Sequence, residues 1–346
     1  MKILHVAPIY REVPPKGYGG TERIVHILAT LQVTHGHEVV VLGVKGTDTQ
    51  TAYKVKSYVK RVSRSSLVRN FHVYTSLLEI LEDFDVVHFH VLNSFNVTPL
   101  LKMLRVFLDA PAYLTTLHAD PPLTGLKRYL YTKISSHPLV AISHSQAERV
   151  KKRGYRVVAV VYHGIDVESY PFCRDKEDYF VYVGRIDKTK GVHVAVEAAR
   201  RAGKRLVIAG PVADKAYFEE HVKLYLGADI TYLGEVSENE KRRLLCKAKA
   251  LIYPVQYEEF FGLILAEALA TGTPVIGFAR GSVVEIVEDG ITGFLAKDLD
   301  EMVYAMNRID AINPVNCRRR AEERFSAERM FEDYELVYKQ LVGGGP

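Results

Sequence analysis

Residues 179–210 read YFVYVGRIDKTKGVHVAVEAARRAGKRLVIAG. The opening YFVYV is short, continuously apolar, and rich in β-branched and aromatic residues, which predicts a buried strand over 179–183. Valine and alanine then recur at helical spacing through 192–201, and RLVIA at 205–209 is apolar and β-branched again. Strand, helix and strand in close succession form the unit of a parallel sheet, because parallel strands need a crossover to bring the chain back.

The alternation continues on both sides. Downstream, a helix is expected near 213–226, a strand at 229–233, a helix at 238–248, a strand at 250–253, a helix at 262–271, a strand at 274–278 and a helical tail from 299. Upstream runs an earlier series: a strand at 2–7, a helix at 21–34, then strands at 37–43, 85–90, 112–117, 139–142 and 157–161, with helical stretches between most of them. EVVVLG in the second strand lacks polar alternation, as in a sheet covered on both faces. Residues 54–69, rich in Lys, Arg and Ser, read ambiguously as a strand with a mobile loop. The class is therefore α/β, with two Rossmann-like parallel-sheet domains facing an interdomain cleft. We expect domains at 1–165 and 166–325, and a C-terminal helix over 326–346 packing back towards the first. His163, Gly164, Ile165 and Asp166 form the expected hinge.

Composition narrows the function. The 346 residues suit two ordinary cores, and 48% hydrophobic with 25% charged residues is globular. No apolar run approaches the roughly 18 residues of a membrane span. MKILHVAPIY lacks the apolar region and cleavage site of a signal peptide. Cys173, Cys246 and Cys317 show neither metal-ligand spacing nor a disulfide framework, which predicts reduced thiols in a cytoplasmic protein. The absence of Trp and abundant Val, Glu, Lys and Arg hint at a thermophile. Residues 1–168 hold 21 Lys and Arg against 13 Asp and Glu, so the first half is basic although the whole chain carries only +5.

Three loops carry candidate chemistry. In EEFFGLILAEALA (258–270), Glu259 and Glu267 lie eight residues apart around Phe261, Gly262 and Leu263. Glu267 falls in an apolar helical run, where a carboxylate needs a partner, and Gly262 stands where that helix begins, a ready anion site. Acceptor, anion site and acceptor in succession suit a nucleotide sugar. In VGRIDKTKG (183–191), Arg185 and Lys190 emerge at the end of a strand, where two cations can neutralise a diphosphate. In IYREVPPKGYGGT (9–21), Gly19 and Gly20 precede a helix and can present amides to phosphate. That loop is neither a dinucleotide fingerprint nor a phosphate-binding loop of the G-x-x-x-x-G-K-S/T kind. His118 follows the strand at 112–117. His88 and His90 share a strand face without a third ligand at convincing spacing, and they read as core residues along with His144 and His163.

At these residues the chain resembles a retaining glycosyltransferase of family four, with the two-domain fold called GT-B. The matching segments run in order along nearly the whole length: KILHVAPIY with GYGGTER, TTLHA, AISHSQ, VYHGIDVESY, YVGRIDKTKG, LVIAG, ITYLGEVSENEK, EEFFGLILAEALATGTPVI and GSVVEIVEDGITGFL. The resemblance implies that Glu267 binds the donor ribose and Glu259 the donor sugar hydroxyls. It implies that Arg185 and Lys190 grip the diphosphate with amides near Gly19, Gly20, Gly262 and Leu263. By the same resemblance His118 lies beside the reacting carbon, and the base sits near Gly210, Glu235 and Val236. The expected donor is a nucleotide diphosphate sugar, glucose from UDP or ADP first. The expected acceptor is a hydroxyl, such as free glucose in a trehalose-forming reaction, and no cofactor or metal is expected. Alternatives are a lipid-linked or polysaccharide acceptor with GDP-mannose or another donor, and a nucleotide-sugar epimerase of the same fold. Lys54, Lys56, Lys60, Arg61, Arg64 and Arg69 offer a basic surface that leaves peripheral membrane contact open. No nucleic-acid motif is present.

Overall fold

The computed structural model describes residues 1–8, 11–17, 19–44, 47, 51–57, 83–90, 111–121, 124–130, 132 and 137–343. The chain divides into two units, Met1–Gly164 with Ala327–Pro346, and Ile165–Ser326.

The first unit holds β1 (Lys2–Val6), β2 (Glu38–Gly43), β3 (Lys54–Ser57), β4 (Val86–Phe89), β5 (Ala112–Leu117), β6 (Leu139–Ala141) and β7 (Val157–Val160). Their order is β3-β2-β1-β4-β5-β6-β7, and every neighbouring pair is parallel. All six residues of β5 are buried, as are the last five of β2, which is why these strands read as unbroken apolar runs. Helix α1 (Gly20–Thr34) buries Ile24, Val25, Leu28 and Ala29. The other helices here are α2 (Gly125–Leu130) and α3 (His144–Lys152), the latter capped by Ser143. Of the basic segment expected at 54–69, the described part is strand β3; Lys60, Arg61, Arg64 and Arg69 lie outside the described residues.

The second unit holds β8 (Phe180–Val183), β9 (Leu206–Ala209), β10 (Ile230–Tyr232), β11 (Ala250–Tyr253), β12 (Val275–Phe278) and β13 (Gly293–Ala296). Their order is β10-β9-β8-β11-β12-β13, again all parallel. The helices are α4 (Val192–Ala202), α5 (Lys215–His221), α6 (Glu238–Lys247), α7 (Leu263–Ala270), α8 (Val283–Ile286), α9 (Leu299–Arg308) and α10 (Pro314–Phe325). The segment α11 (Ala327–Gly343) belongs to the first unit. It buries Met330, Phe331, Tyr334, Val337 and Tyr338 there.

Each sheet reverses its strand order once, between β1 and β4 and between β8 and β11. A crevice opens outside the carboxyl ends of the strands at such a reversal, and ligands of doubly wound folds bind there.

The expectation of three reduced cysteines is corrected. Cys173 and Cys246 form a disulfide with their Cα atoms 5.4 Å apart and a sequence separation of 73. Spacing could not reveal this pair, because the folded sheet brings the segment before β8 against the last turn of α6. Lys176 holds the same junction, donating to the Cys246 carbonyl at 2.9 Å and to Thr273 Oγ1 at 2.8 Å. Cys317 remains a buried thiol, and burial pushes it up to about 12.

Candidate functional site

The loops after β8 and β11 flank the order reversal of the second unit, and they are stitched to each other. Gln256 N–H donates to the Thr189 carbonyl at 2.8 Å. Gly191 opens α4 at φ 73°, and a Cβ there would lie 2.1 Å from the Pro254 oxygen, so this close approach admits only glycine. Asp187 shapes the turn by accepting from the Thr189 and Lys190 amides at 2.9 and 3.1 Å.

Lys190 and Glu259, drawn from separate loops in the sequence, meet here. Lys190 Nζ lies 3.1 Å from Glu259 Oε2, with Glu259 only 5% exposed. Tyr253 and Tyr257 both donate to the same carboxylate oxygen, Tyr257 at 2.8 Å, and the Phe260 amide donates to its other oxygen at 3.0 Å. Burial works to raise the Glu259 pKa, but the Lys190 charge and the two phenols outweigh it, so the carboxyl sits below its ordinary value. Lys190 also donates to the Tyr257 hydroxyl. Arg185 is half-exposed and paired with Asp187, whose own carboxyl burial would raise and whose Thr189 and Arg185 bonds lower, with a net lowering.

Just beyond, Gly262 caps α7 in the left-handed region at φ 75°, with no side-chain cap on the first-turn amides of Leu263 and its neighbours. Phe261 is buried and packs edge-on against Phe325 at 5.8 Å. Gly281 and Ser282 brace this turn from the next loop. A Cβ on Gly281 would lie 2.3 Å from the Glu259 backbone carbonyl oxygen, while Ser282 donates through its amide to that carbonyl and through Oγ to the Phe261 carbonyl, both at 3.0 Å. Glu267, 3% exposed, finds the partner its apolar helix demands in Lys241 of α6, at 2.7 Å. At the far end of α7, Arg318 donates to the Ala270 carbonyl at 3.0 Å, placing a cation at the helix C-terminus.

Gly210 closes the end of β9, with its amide donating to Gly234 O at 2.7 Å, and a Cβ there would strike the Gly184 oxygen at 2.0 Å. Glu235 and Val236 line an open pocket of about 430 Å³ with Tyr179, Glu240, Arg243 and Lys247. None of the other sequence-predicted site residues lines that pocket.

In the first unit, Gly19 and Gly20 open α1 with no side-chain cap. Glu22, in the first turn, is 6% exposed, and burial raises its pKa. His118 lies between two other rings: its Nε2 is 3.1 Å from His90 Nδ1 and its Nδ1 is 3.2 Å from His163 Nε2. Burial holds His118 down to about 3. His90 continues to His5 at 2.9 Å, and His5 to Gln32 at 2.6 Å. His88 is bonded to Tyr338 and Thr116, both at 2.7 Å. The sequence offered His88 and His90 no third ring because it comes from β1, where His5 pairs in register with His88.

Nitrogen atoms of His5, His88 and His90 all lie within 4.8 Å of one another. Tetrahedral zinc would hold such nitrogens about 3.4 Å apart with lone pairs converging. Here the His5 and His90 nitrogens stand at hydrogen-bond distance and His88 spends both nitrogens on hydroxyls, so the arrangement fits a hydrogen-bonded cluster better than a cation site.

Comparison with known proteins agrees with this layout. The family described as glycosyl transferases group 1 matches residues 171–323, and glycosyltransferase family 4 matches 18–169. The chain belongs to the group 1, family 4 glycosyltransferases. This transferase is 28% identical to a glycogen synthase of Mycobacterium tuberculosis, over 97% of this chain and 91% of that one. Among solved structures it is similar to the sucrose-phosphate synthase of Thermosynechococcus elongatus, with a TM-score of 0.81, 18% identity and full coverage of both chains. It is also similar to the Anabaena protein HepE in complex with UDP and glucose, with a TM-score of 0.76, 17% identity and coverage of 99% and 100%. These two likenesses establish the GT-B fold. Tyr253, Tyr257, Lys241 and Asp187, which orient the candidate residues of the transferase, carry no local sequence signal; each is chosen by the neighbouring loop or helix.

Proposed function

We propose that the transferase moves a hexosyl unit from a nucleoside diphosphate sugar to a hydroxyl acceptor, with retention at the anomeric carbon and without a divalent cation. The observation that carries this reading is the buried Lys190–Glu259 pair beside the uncapped start of α7, with Glu267 further along the same helix. Glu267 lies one turn into α7 while Glu259 stands on the loop before it, an arrangement that suits ribose at Glu267 and hexose at Glu259.

As the sugar–phosphate bond breaks, negative charge gathers on the departing diphosphate. Lys190, Arg185 and the first-turn amides of α7 would stabilise that charge, and fixed cations of this kind do the work a metal ion does elsewhere. Lys190 already donates hydrogen bonds to Tyr253, Tyr257 and Glu259, which engages all three of its N–H groups, so gripping phosphate requires it to release one of them. Glu259, held ionised, then has an acceptor oxygen available to the sugar hydroxyls.

Glucose carried by UDP or ADP is our first donor, and a free sugar such as glucose, giving trehalose, our first acceptor. A cytoplasmic thermophile protein is compatible with the Cys173–Cys246 bridge, because intracellular proteins of hyperthermophiles are often disulfide-rich. The lipid-acceptor alternative rests on a basic cluster most of which is outside the described residues; no helix among those residues is long and apolar enough to cross a membrane.

The test is a donor and acceptor screen run with a chelator, followed by mass and anomeric analysis of the product. A new glycoside keeping the donor's anomeric configuration is expected. Inversion, or activity only after a divalent cation is restored, would refute the mechanism; donor turnover without any acceptor would return the epimerase reading.

A further inference from the structure

Four imidazoles form one unbroken hydrogen-bonded line in the first unit, starting at a single amide. Gln32 Oε1 lies 2.6 Å from His5 Nε2, and an amide oxygen only accepts, so His5 carries its proton on Nε2. The His5 Nδ1 is then an acceptor, and His90 Nε2–H donates to it at 2.9 Å. By the same step His118 Nε2–H donates to His90 Nδ1 at 3.1 Å, and His163 Nε2–H donates to His118 Nδ1 at 3.2 Å. A second branch leaves the amide's other end. Gln32 Nε2 donates to the Tyr338 hydroxyl at 3.2 Å, Tyr338 to His88 Nδ1, and His88 Nε2–H to Thr116 Oγ1.

We propose that Gln32 is a positioning residue for His118: acting through His5 and His90, it fixes His118 as the neutral Nε2–H tautomer. This rests on the reading that His118 stands beside the transferred sugar. The arrangement is a lock and not a proton relay, because its inner end is an amide that neither takes nor gives a proton. With both ring nitrogens spent on other rings, His118 has none left for acid or base chemistry. What it offers is an uncharged polar ring. Beside a carbon that becomes positive as the glycosyl bond breaks, an imidazolium would raise the barrier, so holding the ring neutral favours transfer.

The surroundings suit a neutral line. His88 faces it from β4, Thr116 from β5, and Tyr334 and Tyr338 from α11. The nearby acid Glu335 is engaged with His37 at 3.2 Å and Lys339 at 3.9 Å, and Asp333 with Arg329. Among the described residues no carboxylate partners His5, His90 or His118. Burial keeps His5 near 4, and burial with the neighbouring rings keeps His90 and His163 well below their ordinary values.

The experiment labels the histidine rings with 15N and reads their tautomers in the full-length protein, without substrate, by long-range 15N–1H correlation. His5, His90, His118 and His163 should all be neutral Nε2–H at pH 7. An Nδ1–H form or an imidazolium at any of the four overturns the proposal. Gln32→Glu, nearly equal in volume, then sets a carboxylate against His5, and the line should take up a proton between about pH 6 and 8. In the same variant kcat should fall about 10–100-fold with KM for the donor unchanged, as when an outer partner that orients an imidazole is lost. A line that titrates in the variant while kcat holds overturns the positioning role. Wild-type protein that shows the four tautomers but transfers no sugar refutes the proposed function instead, and the two failures are thereby told apart.

Discussion

Lowering the pH from 8 to 5 should unfold the first unit while the second stays protected. Five histidines there, His5, His88, His90, His137 and His163, are at most 4% exposed. Burial depresses all five, with His5 near 4 and His137 near 3. Unfolded, each would titrate near 6.5. The sign follows from proton counts: above about pH 6.5 neither state is protonated and stability is full, and below it the unfolded chain gains protons that the folded one refuses. Stability is therefore lost as pH falls from the unfolded value towards the folded ones. At pH 5, about 1.5 units below the unfolded pKa, each ring costs roughly 2 kcal/mol, and five together cost roughly 10. That is comparable with the whole stability of a typical domain. In the second unit, by contrast, the one depressed histidine, His193, is only half-buried. The assay is hydrogen exchange with peptide-level readout across this range: peptides covering β4 and β5 should lose protection while those covering β8 and β11 keep it. Equal loss in both units, or an unchanged first unit at pH 5, would refute the reasoning.

Lys190→Met should destabilise the second unit by about 3–5 kcal/mol because it strands the Glu259 charge. The double variant Lys190→Met/Glu259→Gln should recover part of that in denaturant melts, and additive losses would deny the coupling. Glu267→Ala should weaken nucleotide binding by roughly 1–3 kcal/mol in calorimetry, as charged hydrogen bonds do; unchanged affinity removes the ribose assignment. Cys173→Ser should lower stability by about 4 kcal/mol, the loop-closure value for a bridge spanning 73 residues. The same protein should then lose its response to reductant, whereas a wild-type Tm insensitive to reductant would contradict the bridge.

Much of the fold was legible because buried parallel strands leave short apolar runs rich in β-branched and aromatic residues. EVVVLG and AYLTTL were readable on that ground alone. Strand β13, GFLA, and the four-residue α8 were not, since four residues cannot display a period. The helical tail was expected as one stretch, but Asn313 and Ser326 interrupt it and cap the next segment or end the last. The candidate site was legible where chemistry and spacing coincide within one loop, as in 183–191 and 258–270. The rest depends on register and packing. His5 meets His88 because adjacent strands align, Lys241 meets Glu267 because two helices pack, and Gln32 reaches His5 from the inner face of α1.

The return of α11 to the first unit bears on the order in which the protein is made. The chain leaves that unit after Gly164 and re-enters it at Ala327, with the exit and entry of the second unit held by an Ile165 amide donating to Phe325 O at 2.9 Å. Tyr334 and Tyr338, which complete the packing around the histidine rings, leave the ribosome only after the whole of the second unit. During synthesis the second unit can therefore close first, although it begins later, reversing the usual N-terminal precedence. Until α11 docks, the polar interior of the earlier unit lacks this cover, so a chain stalled or clipped near residue 326 should be the species that quality control removes.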